Sequence, residues 1–358
     1  MASGTVKQVR IAGIASAVPE RVRTLEDDAQ IFGATEIERI SQNIGVRKRH
    51  VASASTCTSD LCYAAADRLL KDLGWEQESI DAVIFVSQTP DYFMPATACV
   101  LQDRLGLSRG CAAFDVNQGC AGYVYGLWIG SQLARGGCGR VLVLVGDTMS
   151  RLVAPRDRTV TSLFGDAGTA TALEFSAGAA NMHFEFGTDG SGRGCLVVPA
   201  GAFRQPHSPQ TSERVEQSGG NFRSAEDVFM DGGEVFTFVL REVPRLVQSI
   251  LTAAERTVTD IDAFVFHQAN RFMLGHLTKR LRLPPERVAI GLTDYGNTSS
   301  ASIPLAITTE LRESLAPARQ RLLLAGFGAG FAWGAAVLEC GPVCLPPVII
   351  VADESRSA

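Results

Sequence analysis

The chain has 358 residues, a formal net charge of −5 and a hydrophobic fraction of 46%. This length allows a large core and more than one average domain, and the acidic balance gives no reason to expect binding to nucleic acid or to a membrane surface. No apolar run is long enough for a membrane helix, no secretion signal is visible, and the nine cysteines lack metal-binding spacing. We therefore expect a cytoplasmic protein with reduced thiols and no bound metal.

Short β-branched runs alternate with longer amphipathic segments in the first half of the chain. The runs that we predict as strands cover residues 9–18, 82–88, 111–116 and 140–147. Helical patterns lie between them at residues 60–74 and 121–134, and the second pattern is apolar on nearly all sides, as in a buried helix. This alternation predicts an α/β protein whose buried strands are mostly parallel.

Two internal similarities relate the first half of the chain to the second. The stretch "SIDAVIFVSQT" (79–89) resembles "DIDAFVFHQAN" (260–270), and "LFGDAGTATALEF" (163–175) resembles "GFGAGFAWGAAVLEC" (326–340). Because both similarities occur in the same order, we predict two related halves, residues 1–176 and 177–358, with a site at their junction. The polar stretch 201–227 is the one long loop candidate, which predicts either a functional flap or a disordered segment.

Cys120 lies in "AFDVNQGCAGYVYG" (113–126), between a predicted strand and a predicted helix. We place it at the first turn of that helix, where unpaired N–H groups and the helix dipole would stabilise a thiolate. Glycines on both sides, Gly119 and Gly122, permit a tight turn. The pattern favours a nucleophile, although a buried structural cysteine fits the same stretch.

Three further stretches carry groups that a thiol nucleophile would need. His267 follows the predicted strand "AFVF", and Asn297 lies in the turn-rich stretch "DYGNTSSAS". Each also has an ordinary interpretation, a structural histidine at a strand end and an asparagine in a turn or helix cap. The glycine-rich stretch "AGFGAGFAWG" (325–334) offers backbone N–H groups for an oxyanion, and its spacing does not fit dinucleotide binding.

The order and spacing of "DVNQGCAG", "HQAN", "YGNTS" and "GFGAGFAWG" resemble β-ketoacyl-acyl-carrier-protein synthase III, of the thiolase-like superfamily. The resemblance covers nearly the whole chain. It implies an α/β, thiolase-like fold of five layers (αβαβα) built from two pseudo-duplicated halves, and a homodimer. It also implies that Cys120, His267 and Asn297 are catalytic, and that the N–H groups of Cys120 and Ala329 form an oxyanion hole.

The reaction implied by the resemblance is a decarboxylative condensation. Cys120 takes an acyl group from acyl-CoA or an acyl carrier protein, and His267 and Asn297 donate hydrogen bonds to the thioester oxygen of malonyl carrier protein as CO₂ leaves. The resulting carbon nucleophile attacks the acyl-cysteine and gives a 3-oxoacyl product. This chemistry implies no metal or redox cofactor.

Substrate contacts are implied less directly. The family's Trp and Arg beside the coenzyme A adenine are replaced here by Arg39 and Asn43, while Arg158 keeps a second arginine. An acyl carrier protein therefore becomes a possible acyl donor in place of coenzyme A. The resemblance places Phe327 beside the thiol, and Met94 where a side chain reaches the partner subunit's acyl pocket. The adaptable Met side chain suggests tolerance for acyl groups larger than acetyl.

The basic stretch that follows "HQAN" includes Lys279 and Arg280. The resemblance implies that these two residues dock an acidic carrier protein, while a solvated helix face explains the same charges.

Two other functions remain open on this scaffold. One is an acyltransferase of specialised metabolism that moves the acyl group to a hydroxyl or an amine. The other is a non-catalytic subunit of a condensing heterodimer, which would not need Cys120. The sequence does not fix the acyl chain length, the donor carrier, or the choice between primary fatty acid synthesis and a specialised pathway.

Overall fold

A computed structural model describes residues 1–353 of the chain. The strands in chain order are β1 (Ala2–Val6), β2 (Val9–Pro19), β3 (Val22–Thr24), β4 (Lys48–His50), β5 (Ala82–Val86), β6 (Ala112–Val116), β7 (Arg140–Asp147), β8 (Ala167–Phe175), β9 (Met182–Thr188), β10 (Leu196–Val197), β11 (Val215–Glu216), β12 (Phe222–Arg223), β13 (Phe229–Met230), β14 (Ala263–Phe266), β15 (Gln320–Gly328), β16 (Ala332–Cys340) and β17 (Ile349–Val351). The helices are α1 (Leu25–Phe32), α2 (Ala34–Ile44), α3 (Thr58–Leu73), α4 (Thr97–Arg104), α5 (Gly122–Arg135), α6 (Pro209–Ser212), α7 (Gly232–Ala253), α8 (Arg271–Leu281), α9 (Leu292–Tyr295), α10 (Ser302–Glu310) and α11 (Arg312–Leu315). Within the described residues, none of these helices has the length and apolar character needed to cross a membrane.

Two large sheets repeat one strand order. The six-stranded sheet has the order β17-β2-β8-β7-β5-β6, and the five-stranded sheet has the order β1-β9-β16-β15-β14. The run β2-β8-β7-β5 thus corresponds to β9-β16-β15-β14. The first internal similarity falls on β5 and β14, and the second falls on β8 and β16. The similar stretches therefore occupy equivalent places in the two sheets, as a duplicated architecture requires.

Strand direction differs from the expectation. In the larger sheet, β5 pairs parallel with both β6 and β7, whereas β8 pairs antiparallel with both β2 and β7. In the smaller sheet only β14 and β15 pair in parallel. Both sheets are mixed: three of the five strand pairs of the larger sheet are parallel, as predicted, whereas three of the four pairs of the smaller sheet are antiparallel, so the prediction of mostly parallel strands is wrong for the smaller sheet. A continuous apolar run shows that a strand is covered on both faces but does not encode the direction of its neighbours.

The helices and sheets form five layers, which confirms the αβαβα prediction. Helices α5 and α10 lie between the two sheets, α3 and α4 cover the outer face of the larger sheet, and α7 and α8 cover the outer face of the smaller one. Two glycines allow α5 to lie close to β7, because a Cβ at Gly126 or Gly130 would come within 2.9 Å of the Val143 side chain. The helix is therefore buried, as its apolar sequence predicts.

The residues of β7 show why strands of this fold are apolar on both faces. Val141, Val143 and Val145 belong to the core between the two sheets, which also contains α5. The alternating residues Leu142 and Leu144 belong to the core beneath α3. Successive side chains of a strand point to opposite faces, so a central strand with helices on both sides buries every residue.

The two halves exchange their terminal strands. The predicted division after residue 176 falls between β8 and β9, yet β1 pairs with β9 and β17 pairs with β2. Each large sheet thus receives one edge strand from the opposite half, and the division itself stays a prediction. The loop candidate at 201–227 contains α6 and the paired strands β11 and β12 rather than a segment without secondary structure.

Candidate active site

Cys120 lies in the turn that joins β6 to α5. Helix α5 begins at Gly122 with Ala121 as its N-cap residue, so Cys120 precedes the helix, and its placement within the first helical turn is wrong. The turn is closed by a hydrogen bond from the Gly122 N–H to the Gly119 carbonyl, with a donor–acceptor distance of 2.6 Å. Cys120 is 7% exposed, so the thiol faces an enclosed space rather than bulk water.

The glycine-rich stretch packs directly against this turn. Gly328 ends β15, and a Cβ at that position would lie 2.6 Å from Cβ of Cys120 and 2.7 Å from its sulfur. Gly326, two residues earlier, approaches the backbone of Ala121, where a Cβ would come within 2.8 Å of the Cα atom. The nucleophile turn therefore fits against β15 because these positions carry no side chain.

The pKa of the Cys120 thiol is raised to about 11, chiefly by burial and to a smaller extent by the nearby carboxylate of Asp147. The backbone N–H groups of Ala329 and Cys120 and the hydroxyl of Ser299 act in the opposite direction, but they do not outweigh burial. Burial thus opposes the thiolate that the position near a helix end was expected to favour. The sequence shows the position near a helix end, whereas the loss of water around the sulfur depends on packing between distant segments.

His267 follows β14 and is 2% exposed. Burial lowers its pKa to about 3, so the imidazole is neutral at ordinary pH. Its Nδ1 atom lies 2.7 Å from the Ser302 hydroxyl oxygen, which also accepts a hydrogen bond from the Gln268 N–H. Where the Ser302 hydroxyl donates to Nδ1, the proton of the neutral imidazole lies on Nε2.

Asn297 is fixed on both sides of its amide. Its side-chain oxygen accepts a hydrogen bond from the Ser299 N–H at 2.9 Å, and its side-chain NH₂ donates to the Ala269 carbonyl at 3.4 Å. One N–H of that NH₂ group is left for another acceptor. The backbone of Asn297 bonds to Leu163, which ties it to the segment before β8.

Residues 297–302, which we call the 297–302 segment, connect the three predicted catalytic residues. Asn297 begins it, the Ser299 hydroxyl faces the Cys120 sulfur, and Ser302 contacts His267. The Ser299 carbonyl also faces the His267 imidazole. The structure thus brings the three residues around one short loop at the junction of the two halves.

A cavity of about 530 Å³ opens beside Cys120 and Ala329. Its wall also includes the apolar side chains Met149, Leu152, Phe164, Leu196 and Val228. Among the described residues, the charged side chain on this wall is Arg193. An apolar cavity that ends at a thiol is suited to an acyl chain.

The other predicted substrate residues lie away from this cavity wall. Phe327 is buried with its ring centroid 5.6 Å from that of His267, so it supports the histidine. Arg158 lies 3.4 Å from the Glu36 carboxylate, which also pairs with Arg39 at 2.8 Å. Their roles toward substrate stay predictions.

Met94 lies on a separate surface. It is 83% exposed and adjoins Tyr92 and Phe93 on the wall of a second cavity of about 770 Å³. The two cavities share Gln88 and Leu152. The exposed loop is therefore next to the Cys120 cavity, although Met94 does not line that cavity within residues 1–353.

Lys279 and Arg280 occupy the last turn of α8 and are exposed. No described carboxylate forms an ion pair with either of them. Both charges are thus available at the surface, and their docking role stays a prediction.

Family models and relatives identify the family of this chain. The N-terminal model of 3-oxoacyl-[acyl-carrier-protein (ACP)] synthase III matches residues 114–190, and the C-terminal model matches residues 251–340. The β-ketoacyl-[acyl-carrier-protein] synthase III of Symbiobacterium thermophilum is 37% identical, with 94% of this chain and 99% of that protein covered. The chain belongs to the synthase III family.

Two solved structures extend the comparison. A 3-oxoacyl-(acyl-carrier protein) synthase from Burkholderia xenovorans LB400 is 45% identical with a TM-score of 0.92, and the match covers 98% of this chain and 99% of that one. The priming β-ketosynthase of the R1128 polyketide biosynthetic pathway is 28% identical with a TM-score of 0.80, covering 95% and 98% of the two chains. This synthase III chain is therefore a condensing enzyme of the acyltransferase class with the thiolase-like fold.

Sequence reasoning missed several residues of this synthase III site. Ser299, Ser300 and Ser302 lie shortly after Asn297, and the concentration of hydroxyl residues in this stretch was the available signal. Asp147 gave no sign beyond being an acidic residue at the end of a buried strand, β7. Gly328 belongs to the stretch assigned to oxyanion binding, and the structure adds that this residue contacts the nucleophile.

Proposed function

We propose that this chain performs the decarboxylative condensation of an acyl group, bound to Cys120, with malonyl carrier protein. The observation that carries the proposal is the 297–302 segment, which holds two uncharged hydrogen-bond donors, His267 and Asn297, beside a buried thiol. Two fixed donors suit an oxygen that gains negative charge during the reaction. The product is a 3-oxoacyl carrier protein that starts fatty acid or related polyketide synthesis.

The first half-reaction loads the enzyme. The Cys120 sulfur forms a bond to the acyl carbonyl carbon, the thioester bond of the donor breaks, and the donor thiol leaves with the proton that Cys120 gives up. The N–H groups of Cys120 and Ala329 stabilise the carbonyl oxygen while it is negative. The acylated cysteine is neutral, so the same burial that disfavours a thiolate does not oppose the thioester.

The second half-reaction forms the carbon–carbon bond. The bond from the malonyl carboxylate to its α-carbon breaks, CO₂ leaves, and the electron pair becomes an enolate whose oxygen accepts hydrogen bonds from Nε2 of His267 and the Asn297 amide. The α-carbon then attacks the acyl carbonyl carbon, the bond to the Cys120 sulfur breaks, and the thiolate takes up a proton from water. A neutral histidine fits this role because it donates without first binding a proton. The proposal requires no metal or redox cofactor.

The cavity beside Cys120 supports an acyl group larger than acetyl. Its volume of about 530 Å³ lies within the range of pockets that enclose drug-sized ligands, and its wall is mostly apolar. The identity of the acyl donor is inferred from the surface around Arg158, where Glu36 already pairs with the arginine. A coenzyme A phosphate would have to compete with that carboxylate, which favours an acyl carrier protein as the acyl donor.

A homodimer is the proposed assembly. Strand β6 forms an open edge of the larger sheet, and its residues are only partly covered. Three consecutive apolar residues nearby, Tyr92, Phe93 and Met94, are 59%, 78% and 83% exposed. Open edge strands and contiguous apolar patches mark association surfaces, so a second copy of this chain would cover both features.

The carrier protein is proposed to dock at Lys279 and Arg280. Both side chains are exposed in the last turn of α8, the helix that follows His267 in the chain. An acidic carrier surface would pair with them. We place the enzyme in the cytoplasm, where carrier-protein substrates are made.

The test separates loading from condensation. Wild-type protein, His267→Ala and Asn297→Ala are incubated with a panel of acyl-CoAs and acyl carrier proteins, and the mass of the intact protein reports acylation of Cys120. Radiolabelled malonyl carrier protein then reports CO₂ release. Both variants are expected to load but to release CO₂ roughly 10²–10³-fold more slowly. A wild-type enzyme that loads but never consumes malonyl carrier protein would refute the proposal and favour transfer to a hydroxyl or an amine.

A further inference from the structure

Asp147 is a buried carboxylate at the end of β7 with a relative exposure of 0%. One carboxylate oxygen accepts hydrogen bonds from the Gln88 N–H at 2.7 Å and the Ser87 hydroxyl at 3.0 Å. The other oxygen accepts from the Ser300 hydroxyl at 2.6 Å and the Ser300 N–H at 3.2 Å. No Lys, Arg or His within residues 1–353 forms an ion pair with this carboxylate. A buried charge without a counterion is costly unless hydrogen bonds satisfy it, and here donors converge on both oxygens.

The donors come from both halves of the protein. Ser87 and Gln88 follow β5 in the first half, and Gln88 also lines the cavity at Cys120. Ser300 belongs to the 297–302 segment of the second half. Asp147 therefore joins the nucleophile half to the loop that holds both predicted donors to the malonyl thioester.

The segment that Asp147 anchors is conformationally demanding. Ser299 has a φ of 51°, in the left-handed region that residues other than glycine rarely adopt. Its N–H holds the Asn297 side chain, and its hydroxyl faces the Cys120 sulfur. A backbone in this region persists only when its surroundings fix it, and the two bonds from Ser300 to Asp147 are the adjacent fixed point.

We propose that Asp147 is a positioning residue for condensation, whose carboxylate holds the 297–302 segment so that His267 and Asn297 are aimed at the substrate of Cys120. The inference rests on the proposed function, since it assigns these two residues to the malonyl thioester. A carboxylate suits the position because it has acceptors alone, whereas an Asn amide would place an NH₂ group against a ring of donors. Asp147 acts through the segment and does not itself touch the reacting atoms.

The charge of Asp147 affects a measurable quantity, the pKa of the Cys120 thiol, that a purely structural residue would leave unchanged. The titratable groups that it faces are Cys120, Cys62 of α3 and Asp166 just before β8, and in each case its negative charge opposes ionisation. Removing the charge should therefore lower the pKa of the Cys120 thiol. Removing the Ser300 hydroxyl should weaken the same anchor and leave the charge in place.

Asp147→Asn and Ser300→Ala test the inference together, with Asp115→Asn as the control. Asp115 also accepts two backbone N–H bonds, but its partners are Thr97 and Ala98 at the start of α4. We expect Ser300→Ala to load Cys120 at near the wild-type rate and Asp147→Asn to load it no more slowly, because its thiol pKa is lower. Both should lose roughly 10- to 100-fold in CO₂ release from malonyl carrier protein, as small misplacements of catalytic groups do. Only Asp147→Asn should shift the pH dependence of Cys120 alkylation to lower pH, and the control should change neither measurement.

The outcomes separate this inference from the proposed function. Equal losses of loading and condensation in the folded variants would assign Asp147 a structural role only and overturn the inference. Full condensation activity in Ser300→Ala would overturn it as well, even if Asp147→Asn fails to fold. A wild-type enzyme that consumes no malonyl carrier protein would instead overturn the proposed function.

Discussion

Gly328→Ala places a methyl group against the nucleophile. The new Cβ would lie 2.6 Å from Cβ of Cys120 and 2.7 Å from its sulfur, whereas ordinary contacts begin at 3.4 Å. The distance from the new Cβ to Cβ of Cys120 must therefore increase by 3.4 − 2.6 = 0.8 Å, and its distance to the Cys120 sulfur by 3.4 − 2.7 = 0.7 Å. Gly328 is held by its pairing with Ala332, so much of this displacement should fall on the Cys120 side chain.

The displacement predicts a loss of acylation that is larger than the loss of stability. Movement of a reacting atom by about 1 Å costs roughly 10²-fold in rate, equivalent to about 2.7 kcal/mol in the activation free energy. Overpacking of a core typically costs about 1–3 kcal/mol of folding free energy, which a protein of this size tolerates. Gly328→Ala should therefore fold and yet acylate Cys120 about 100-fold more slowly.

The assay is the time course of acylation followed by the mass of the intact protein. Gly178→Ala serves as the control, because a Cβ at that position meets no atom within 4 Å and Gly178 has no positive φ. The control should load at the wild-type rate. Wild-type loading by folded Gly328→Ala would show that the fit between β15 and the nucleophile turn does not control the position of the thiol.

Four further predictions follow from burial, charge and exposure. Because burial raises the Cys120 pKa to about 11, its alkylation by iodoacetamide should accelerate from pH 7 to pH 10; a plateau at neutral pH would contradict this. Burial lowers the His267 pKa to about 3 in the folded protein, whereas the usual histidine pKa is about 6.5. At a pH between these two values the unfolded chain therefore binds more protons than the folded protein does. Wild type should therefore lose more unfolding free energy than His267→Asn when the pH falls from 7 to 5, as urea titrations can measure, and equal losses would contradict the burial argument. Glu36→Gln should release Arg158 and lower the KM for acyl-CoA relative to the KM for acyl carrier protein. An unchanged ratio of the two KM values would show that Glu36 does not influence which acyl donor is used. Sedimentation of the wild type should give twice the mass of one chain and Met94→Asp should favour the monomer; a fully active wild-type monomer would refute the dimer.

Local patterns predicted the main features of the fold. The run "VLVLV" in β7 shows that the strand is buried on both faces, because alternate residues must enter two different cores. The internal similarities predicted two related sheets, since each falls on equivalent strands. Strand direction was not predictable in this way, because it depends on the path of the chain between β7 and β8.

The candidate site was predictable where a motif names a residue and not where tertiary packing sets its properties. Cys120, His267 and Asn297 stand in recognisable stretches, and the structure gathers them around the 297–302 segment. The raised thiol pKa results from water exclusion by distant segments, which no local pattern encodes. The ion pair between Glu36 and Arg158 could not be predicted from local sequence either, because the two residues are far apart along the chain.

The exchange of terminal strands links the order of chain synthesis to the appearance of the active site. The larger sheet, which positions Cys120, gains its edge strand β17 only after residues 349–351 leave the ribosome. The smaller sheet gains β1 from residues that are made before β9 and must wait for it. A nascent chain therefore carries the thiol long before it carries His267 and the 297–302 segment. Splitting the protein between its halves would leave each fragment with an unpaired sheet edge, so recovery of activity should require both fragments to fold together.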